Sequence, residues 1–221
     1  MMRQTLVLAS IGIVLTLFAV GAWFKSNPEV AETKPAPPSL EQGSLVRSYS
    51  PVLGAKDAPV TIVEFFDPAC EACRAFHPIV KGILAKYPGK VRVVLRYTPF
   101  HGEASLEAIA VLEAARLQKV FLPVLETLLK NQSAWASHGS PAPGKILQIA
   151  ASAGLDVEQA SVQIKSPGTV GIINQDRADV EAVGVKGTPT FFVNGKPLTK
   201  FGRQELETLV EAAVNKAVAQ Q

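Results

Sequence analysis

The run Val60-Thr61-Ile62-Val63-Glu64-Phe65-Phe66 leads into Asp67-Pro68-Ala69-Cys70-Glu71-Ala72-Cys73, and this junction constrains the fold more than any other part of the chain. The first stretch is apolar at nearly every position, the pattern of a strand buried on both faces. Pro68 cannot extend a central strand, so the strand stops before it. Glu71 to about Tyr87 then reads as a helix, with Ala72, Ala75, Phe76, Ile79, Val80, Ile83 and Leu84 on one side. The only two cysteines of the 221 residues sit at the start of that helix with two residues between them. Two thiols so placed can close into a small disulfide and reopen, which is the working part of a thiol–disulfide exchange centre.

The rest of the chain supplies the layers. Ser44 to Leu53 reads as a first strand and Val91 to Tyr97 as another, rich in β-branched residues. Pro78 inside the Glu71 helix predicts a kink or break, and Pro88-Gly89 ends it. From Pro99 to about Lys165 the pattern is helical, with segments at Glu103 to Gln118, Phe121 to Lys130, Lys145 to Ala153 and Val157 to Ile164. A further helix is expected from Thr169 to Val183. Thr190 to Val193 resumes the strand pattern. Asn194-Gly195 signals a hairpin to a partner strand at Lys196 to Thr199. A helix from Gly202 to about Val218 comes last. The order β, β, α, β, helical block, α, β, β, α specifies an α/β sheet with a helical insertion.

Hydrophobic residues make up 48% of the chain, and the mean hydropathy is +0.20. Part of that excess lies at the N-terminus, where Gln4 to Phe24 carries no charge. A run of about 20 apolar residues spans a bilayer as a helix, so residues 1–25 read as an uncleaved membrane anchor. Ala19, Gly21 and Ala22 leave a cleaved signal, and hence secretion, as the alternative. Residues 26–43, with Pro28, Pro35, Pro37 and Pro38, form a solvated spacer, and residues 44–221 form the folded domain. The flanking charges orient the span weakly. An N-terminal span most often exports the domain behind it, and a dithiol domain meets oxidised partners there. The expectation is a single-pass cell-membrane protein with its domain on the extracytoplasmic, periplasmic side. The net charge of +3 shows no basic block, so nucleic-acid binding has no support.

The nucleophile in exchange is a thiolate. A helix N-terminus favours it through the macrodipole and unpaired N–H groups, which makes Cys70 the attacking residue and Cys73, one turn deeper, the resolving one. A carboxylate at Glu71 opposes the Cys70 thiolate unless it points to water. Glu64, a lone acid in an apolar run, is expected to be buried with a raised pKa and placed to exchange a proton with Cys73. Read from sequence alone, the Thr188–Pro189 bond is trans. His77, four residues after Cys73, raises copper(I) binding with the two thiols as an alternative, although three such ligands leave a tetrahedral site incomplete. His101 reads as a helix-start residue, and Trp135 and Phe121 as core.

Two distant motifs and the insertion together resemble the thioredoxin superfamily, and within it the DsbA-like disulfide oxidoreductases. The motifs are Val63-Glu64-Phe65-Phe66 running into Cys70-Glu71-Ala72-Cys73, and Gly184 to Gly195 with Gly187-Thr188-Pro189-Thr190 at its centre. The helical block of about 99–165 resembles the family's inserted domain in position and length. The resemblance implies a thioredoxin fold, a mixed sheet flanked by helices, over roughly Leu53 to the C-terminus. It implies Cys70 and Cys73 as the redox pair, Glu64 as the buried acid, Pro189 in cis facing the pair, and Thr188 pairing through its backbone with an extended substrate. Glu71-Ala72 departs from the dipeptides of the strong oxidases, and predicts a less acidic Cys70 than theirs. The implied activity is disulfide exchange with protein thiols, either donating disulfides or, as a reductase or isomerase, removing or reshuffling them. It requires no cofactor and no metal. A membrane redox partner resets the pair, and nothing resembles the dimerisation domain of the isomerase branch, so a monomer is expected.

Overall fold

The β-branched run at Val60–Phe66 forms the central strand of a five-stranded sheet in a computed structural model that describes residues 45–220. In chain order the strands are β1 (Val52–Gly54), β2 (Val60–Phe66), β3 (Val91–Tyr97), β4 (Thr190–Val193) and β5 (Lys196–Pro197). They lie in the order β1-β3-β2-β4-β5. β2 and β3 are parallel, and every other pairing is antiparallel. The parallel pair needs a crossover, which α1 (Glu71–Lys86) supplies. Six helices separate β3 from β4: α2 (Gly102–Leu117), α3 (Phe121–Lys130), α4 (Gln132–Trp135), α5 (Ile146–Ala151), α6 (Val157–Gln163) and α7 (Pro167–Val183). α8 (Arg203–Val218) comes after β5.

Alternation along β2 divides the interior. Val60, Ile62 and Phe66 pack with Cys73, Val80 and Ile83 of α1, with Leu206, Val210 and Val214 of α8, and with the helical block. Val63 and Phe65 face the other way, onto Val180, Val185, Phe192 and Leu45. Glu64 shares the parity of Ile62 and Phe66, so its side chain enters the layer that holds Cys73. Local chemistry fixes the element ends. Ser166 caps α7 by accepting from Thr169 N–H, Pro167 sits at the first helical position, and Gly184 closes the helix in the left-handed region at φ +76°. Asn194 and Gly195 both have positive φ, 46° and 79°, as a two-residue hairpin turn of mirror-image type requires.

The elements differ from the sequence reading in five places. β1 covers only Val52–Gly54 of the stretch expected from Ser44 to Leu53, and β5 ends at Pro197 rather than Thr199. α1 runs through Pro78 without a break. The short α4 and a 3-10 turn at Pro143–Lys145 have no counterpart in the sequence pattern. The expected anchor (1–25) and spacer (26–43) lie outside the described residues. Among the described residues no helix is long and apolar enough to cross a membrane.

Buried ion pairs, not only apolar contacts, join the helices between β3 and β4 to the sheet. Arg96 of β3, fully buried, donates to Asp176 and Asp179 of α7 at 2.8 and 2.5 Å. Asp179 also receives Arg47, and Asp176 receives the Tyr49 hydroxyl and the Tyr97 N–H. The Tyr97 hydroxyl donates to Glu113 of α2, which Arg116 neutralises. Each charge is paired, as burial demands.

Candidate active site

The site lies where β2 ends and α1 begins. Cys70 is the N-cap of α1, in extended conformation, beside the unpaired N–H groups of the first turn, although its side chain makes no capping hydrogen bond. Its thiol donates to the Thr188 carbonyl at 3.2 Å across 118 residues of sequence. Cys70 keeps 7% of its surface exposed and Cys73 none, so the two sulfurs differ in access as expected. Neither cysteine is in a disulfide. The Thr188–Pro189 bond is cis, against the reading from sequence alone and as the family resemblance implied. The loop before β4 thus lies directly against Cys70.

The electrostatics of the pair are opposed. A hydrogen bond from the Cys73 thiol is the main force lowering the Cys70 pKa, to about 5. Burial works against it, and hydrogen bonds from the Thr188 side chain and the backbone N–H groups of Cys73 and Ala72 assist. Burial pushes Cys73 far above the usual thiol range, and the hydrogen bond it gives Cys70 and the charges of Glu64 and Cys70 push the same way. Cys70 is thus thiolate at neutral pH while Cys73 stays a thiol. A value of about 5 sits above the ~3.5 of the strongest oxidants and below the ~7 of strong reductants. The Glu71 side chain is 62% exposed and 4.0 Å from His138, so it points to water, the arrangement in which its charge opposes Cys70 least.

Glu64 is 2% exposed, and its Oε1 has no hydrogen-bond partner. Burial, aided by the Cys70 charge, raises its pKa to about 8. Its burial and raised pKa are the environment expected from sequence.

Two site residues escape a reading of the sequence. Asp67 reads there only as part of the turn. Its carboxylate is fully buried and accepts from Ala69 N, Phe100 N, His101 N and the Ser105 hydroxyl, and pairs with His101 Nδ1 at 2.7 Å. Its own N–H points at Cys73 Sγ, 3.5 Å away. Gln132, on α4, donates to the Pro68 carbonyl at 2.8 Å and to the Cys70 carbonyl at 3.0 Å. The signal for Asp67 is an acid ending a doubly buried strand; nothing local marks Gln132. His101 is the N-cap of α2, a helix-start residue as read. Trp135 is fully buried, and Phe121 packs partly buried against the core. His77 does not join the two cysteines in a metal-ligating trio: among the described residues no group of three His, Cys, Asp or Glu is placed to hold an ion.

Comparison with known proteins agrees with this geometry. A family model described as thioredoxin matches residues 47–212. A thioredoxin-like oxidoreductase from Silicibacter pomeroyi DSS-3 is 30% identical, with a TM-score of 0.68 over 81% of this chain and 98% of its own. A periplasmic thioredoxin-like protein from Salmonella enterica serovar Typhimurium is 25% identical, with a TM-score of 0.63 over 79% and 95%. The thiol-disulfide exchange protein alpha-DsbA2 of Wolbachia pipientis shares the fold at 24% identity and a TM-score of 0.64, over 77% and 90%. The Na(+)/H(+) antiporter NhaA of Herminiimonas arsenicoxydans is 32% identical over 147 residues, 66% of this chain and 22% of that protein. The chain spans about a quarter of the length of the curated relatives it matches.

Proposed function

The chain belongs to the thioredoxin family, and from that premise we propose that it is a DsbA-like thiol–disulfide oxidoreductase that exchanges disulfides with protein clients outside the cytoplasm through Cys70 and Cys73. The observation that carries the proposal is the contrast within the pair: a sulfur with a small exposed surface held as thiolate against a fully buried one held as thiol.

In the oxidising direction a client thiolate attacks Cys70 Sγ. The Cys70–Cys73 bond breaks and Cys73 leaves with its electron pair, taking a proton from Glu64. A second client thiolate then attacks the client sulfur of the mixed disulfide and expels Cys70 as its stabilised thiolate. The client loses two electrons to the pair, and its disulfide forms. Run backwards, the same steps reduce or reshuffle a disulfide. The backbone of Thr188, beside Pro189, aligns the client as an added strand. Phe201, 56% exposed and stacked 4.6 Å from Phe76 of α1, adds apolar surface for it.

Direction depends on potential. A stabilised Cys70 thiolate favours the reduced form and makes the pair oxidising. A thiol that titrates near pH 5 places the potential between about −270 mV and about −120 mV, the values of a reductase and a strong oxidase. The extracytoplasmic location is supported by the apolar N-terminal run and by the periplasmic relative from Salmonella. In this reading residues 1–25 anchor the protein, 26–43 space residues 44–221 from the bilayer, the domain acts as a monomer, and a membrane redox partner resets the cysteines.

The test is equilibration of the full chain with glutathione, alongside insulin reduction and oxidative refolding of a scrambled substrate. The expected result is a potential in that window and loss of both activities in Cys70→Ser. A chain that does not equilibrate, or a Cys70→Ser variant that retains activity, contradicts the proposal.

A further inference from the structure

Below Cys70, a groove of about 450 Å³ opens between α1 and α3, lined by Arg74, His77, Pro78, Lys81, Glu126, Leu129 and Lys130. Helical geometry makes it continuous with the active cysteine. Positions 70, 74, 77 and 81 are spaced by four, three and four residues, so they form one stripe along α1. At 1.5 Å per residue the stripe runs from roughly 6 Å to roughly 16 Å along the axis from Cys70. On the opposite wall, Leu129 and Lys130 end the helix that leads into Gln132, the residue that holds the Cys70 carbonyl.

The charges of this groove are unbalanced. Lys81 pairs with Glu126, the only acid in the lining. Arg74 and Lys130 have no ionic partner among the described residues and leave a surplus of two positive charges. His77 Nε2 is buried without a hydrogen-bond partner. A buried polar atom with no partner is rare and costs free energy unless something fills the site. Pro78 and Leu129 provide an apolar floor between the cations, enough to seat side-chain methylenes while leaving carboxylates at the rim.

We propose that this groove docks an acidic segment of the client polypeptide that is joined to Cys70 in the mixed disulfide. The inference rests on the exchange reading above and adds a substrate preference to it. An extended chain advances about 3.3 Å per residue, so the acidic side chains that reach Arg74 and Lys130 lie roughly two to five residues from the client cysteine. Two uncompensated cations near the reacting sulfur attract such a segment before contact and hold it afterwards.

The experiment uses oxidised full chain and three dithiol peptides that differ only at the second to fifth residues on either side of the attacking cysteine: glutamates, glutamines or lysines. Rates are read by stopped flow at low and high salt. The glutamate peptide is expected to react about tenfold faster than the glutamine peptide at low ionic strength, and the lysine peptide slowest, with the spread shrinking at high salt. The ratio of glutamate to glutamine rates is expected to fall to about one in Lys130→Glu, which lies on α3 away from the cysteines, and in Arg74→Glu. Equal rates for the glutamate and glutamine peptides, or a ratio that survives both charge reversals, overturn the groove assignment while leaving the exchange reading intact. A chain inert to all three peptides overturns both.

Discussion

Glu64 and Asp67 stand three residues apart at the end of one strand, both are buried, and they are held in opposite ways. Asp67 accepts four hydrogen bonds, pairs with the His101 ring, and ties the turn to the start of α2. Glu64 has an oxygen with no partner, and burial lifts its pKa to about 8. The first acid is therefore a strut, and in the proposed exchange the second is the proton store. A carboxylate surrounded by donors is locked in place, whereas one left unpartnered keeps a proton that can move at working pH.

Removing the strut should have the largest effect. Asp67→Ala strands the Ala69 N–H, the Ser105 hydroxyl and the His101 ring, while the Phe100 and His101 N–H groups keep Thr98 O and Ser105 Oγ, and is expected to cost on the order of 4 kcal/mol in urea unfolding of the reduced protein. Asp67→Asn, which keeps one acceptor oxygen, should recover about half. An Asp67→Ala loss under ~1 kcal/mol, the net worth of one ordinary hydrogen bond, would mean the turn does not depend on the carboxylate.

Glu64 should respond with the opposite sign. Its folded pKa is raised from 4.5 to about 8. Its contribution is therefore fully present below pH 4.5 and is lost progressively as the pH rises to about 8, because the unfolded chain releases the proton first. Glu64→Gln removes that dependence and is expected to stabilise the protein by about 2–3 kcal/mol at pH 7, while slowing resolution of the mixed disulfide by roughly a hundredfold. Destabilisation, or resolution at the wild-type rate, would show that Glu64 is not the proton store.

The smallest effect is expected at Gln132, which supports the same turn from α4. Gln132→Ala frees the Pro68 carbonyl and leaves the Cys70 carbonyl with only the Arg74 N–H, and should cost about 1–2 kcal/mol. Backbone amide exchange at Cys70 to Cys73 should rise with it. An unchanged exchange pattern would assign Gln132 to packing alone.

The same contrast separates residues that are legible in the sequence from those that are not. β2, the cysteine pair and Glu64 announce themselves locally, because an acid inside an apolar run and two thiols at a helix start are patterns of adjacent residues. The helices of the block emerge from periodicity. Asp67 looks like an ordinary turn residue, since its partners come from 33 to 38 positions downstream. Gln132 reaches back 62 and 64 residues. Arg96 sits in a strand with partners 80 and 83 residues away on α7. Such pairings belong to the folded topology and leave no trace in local pattern. The cis bond at Pro189 is readable only through resemblance to a family that carries it.

Strut and proton store both serve a single asymmetry, with Cys70 as the reactive thiolate and Cys73 as its sealed partner. Alkylation of the reduced full chain with iodoacetamide across pH, with the modified residue mapped by mass spectrometry, reads that asymmetry at both sulfurs. Modification is expected at Cys70 alone, with a midpoint near pH 5. A midpoint near the ordinary ~8.5 of a free thiol, or modification of Cys73 first, would contradict it.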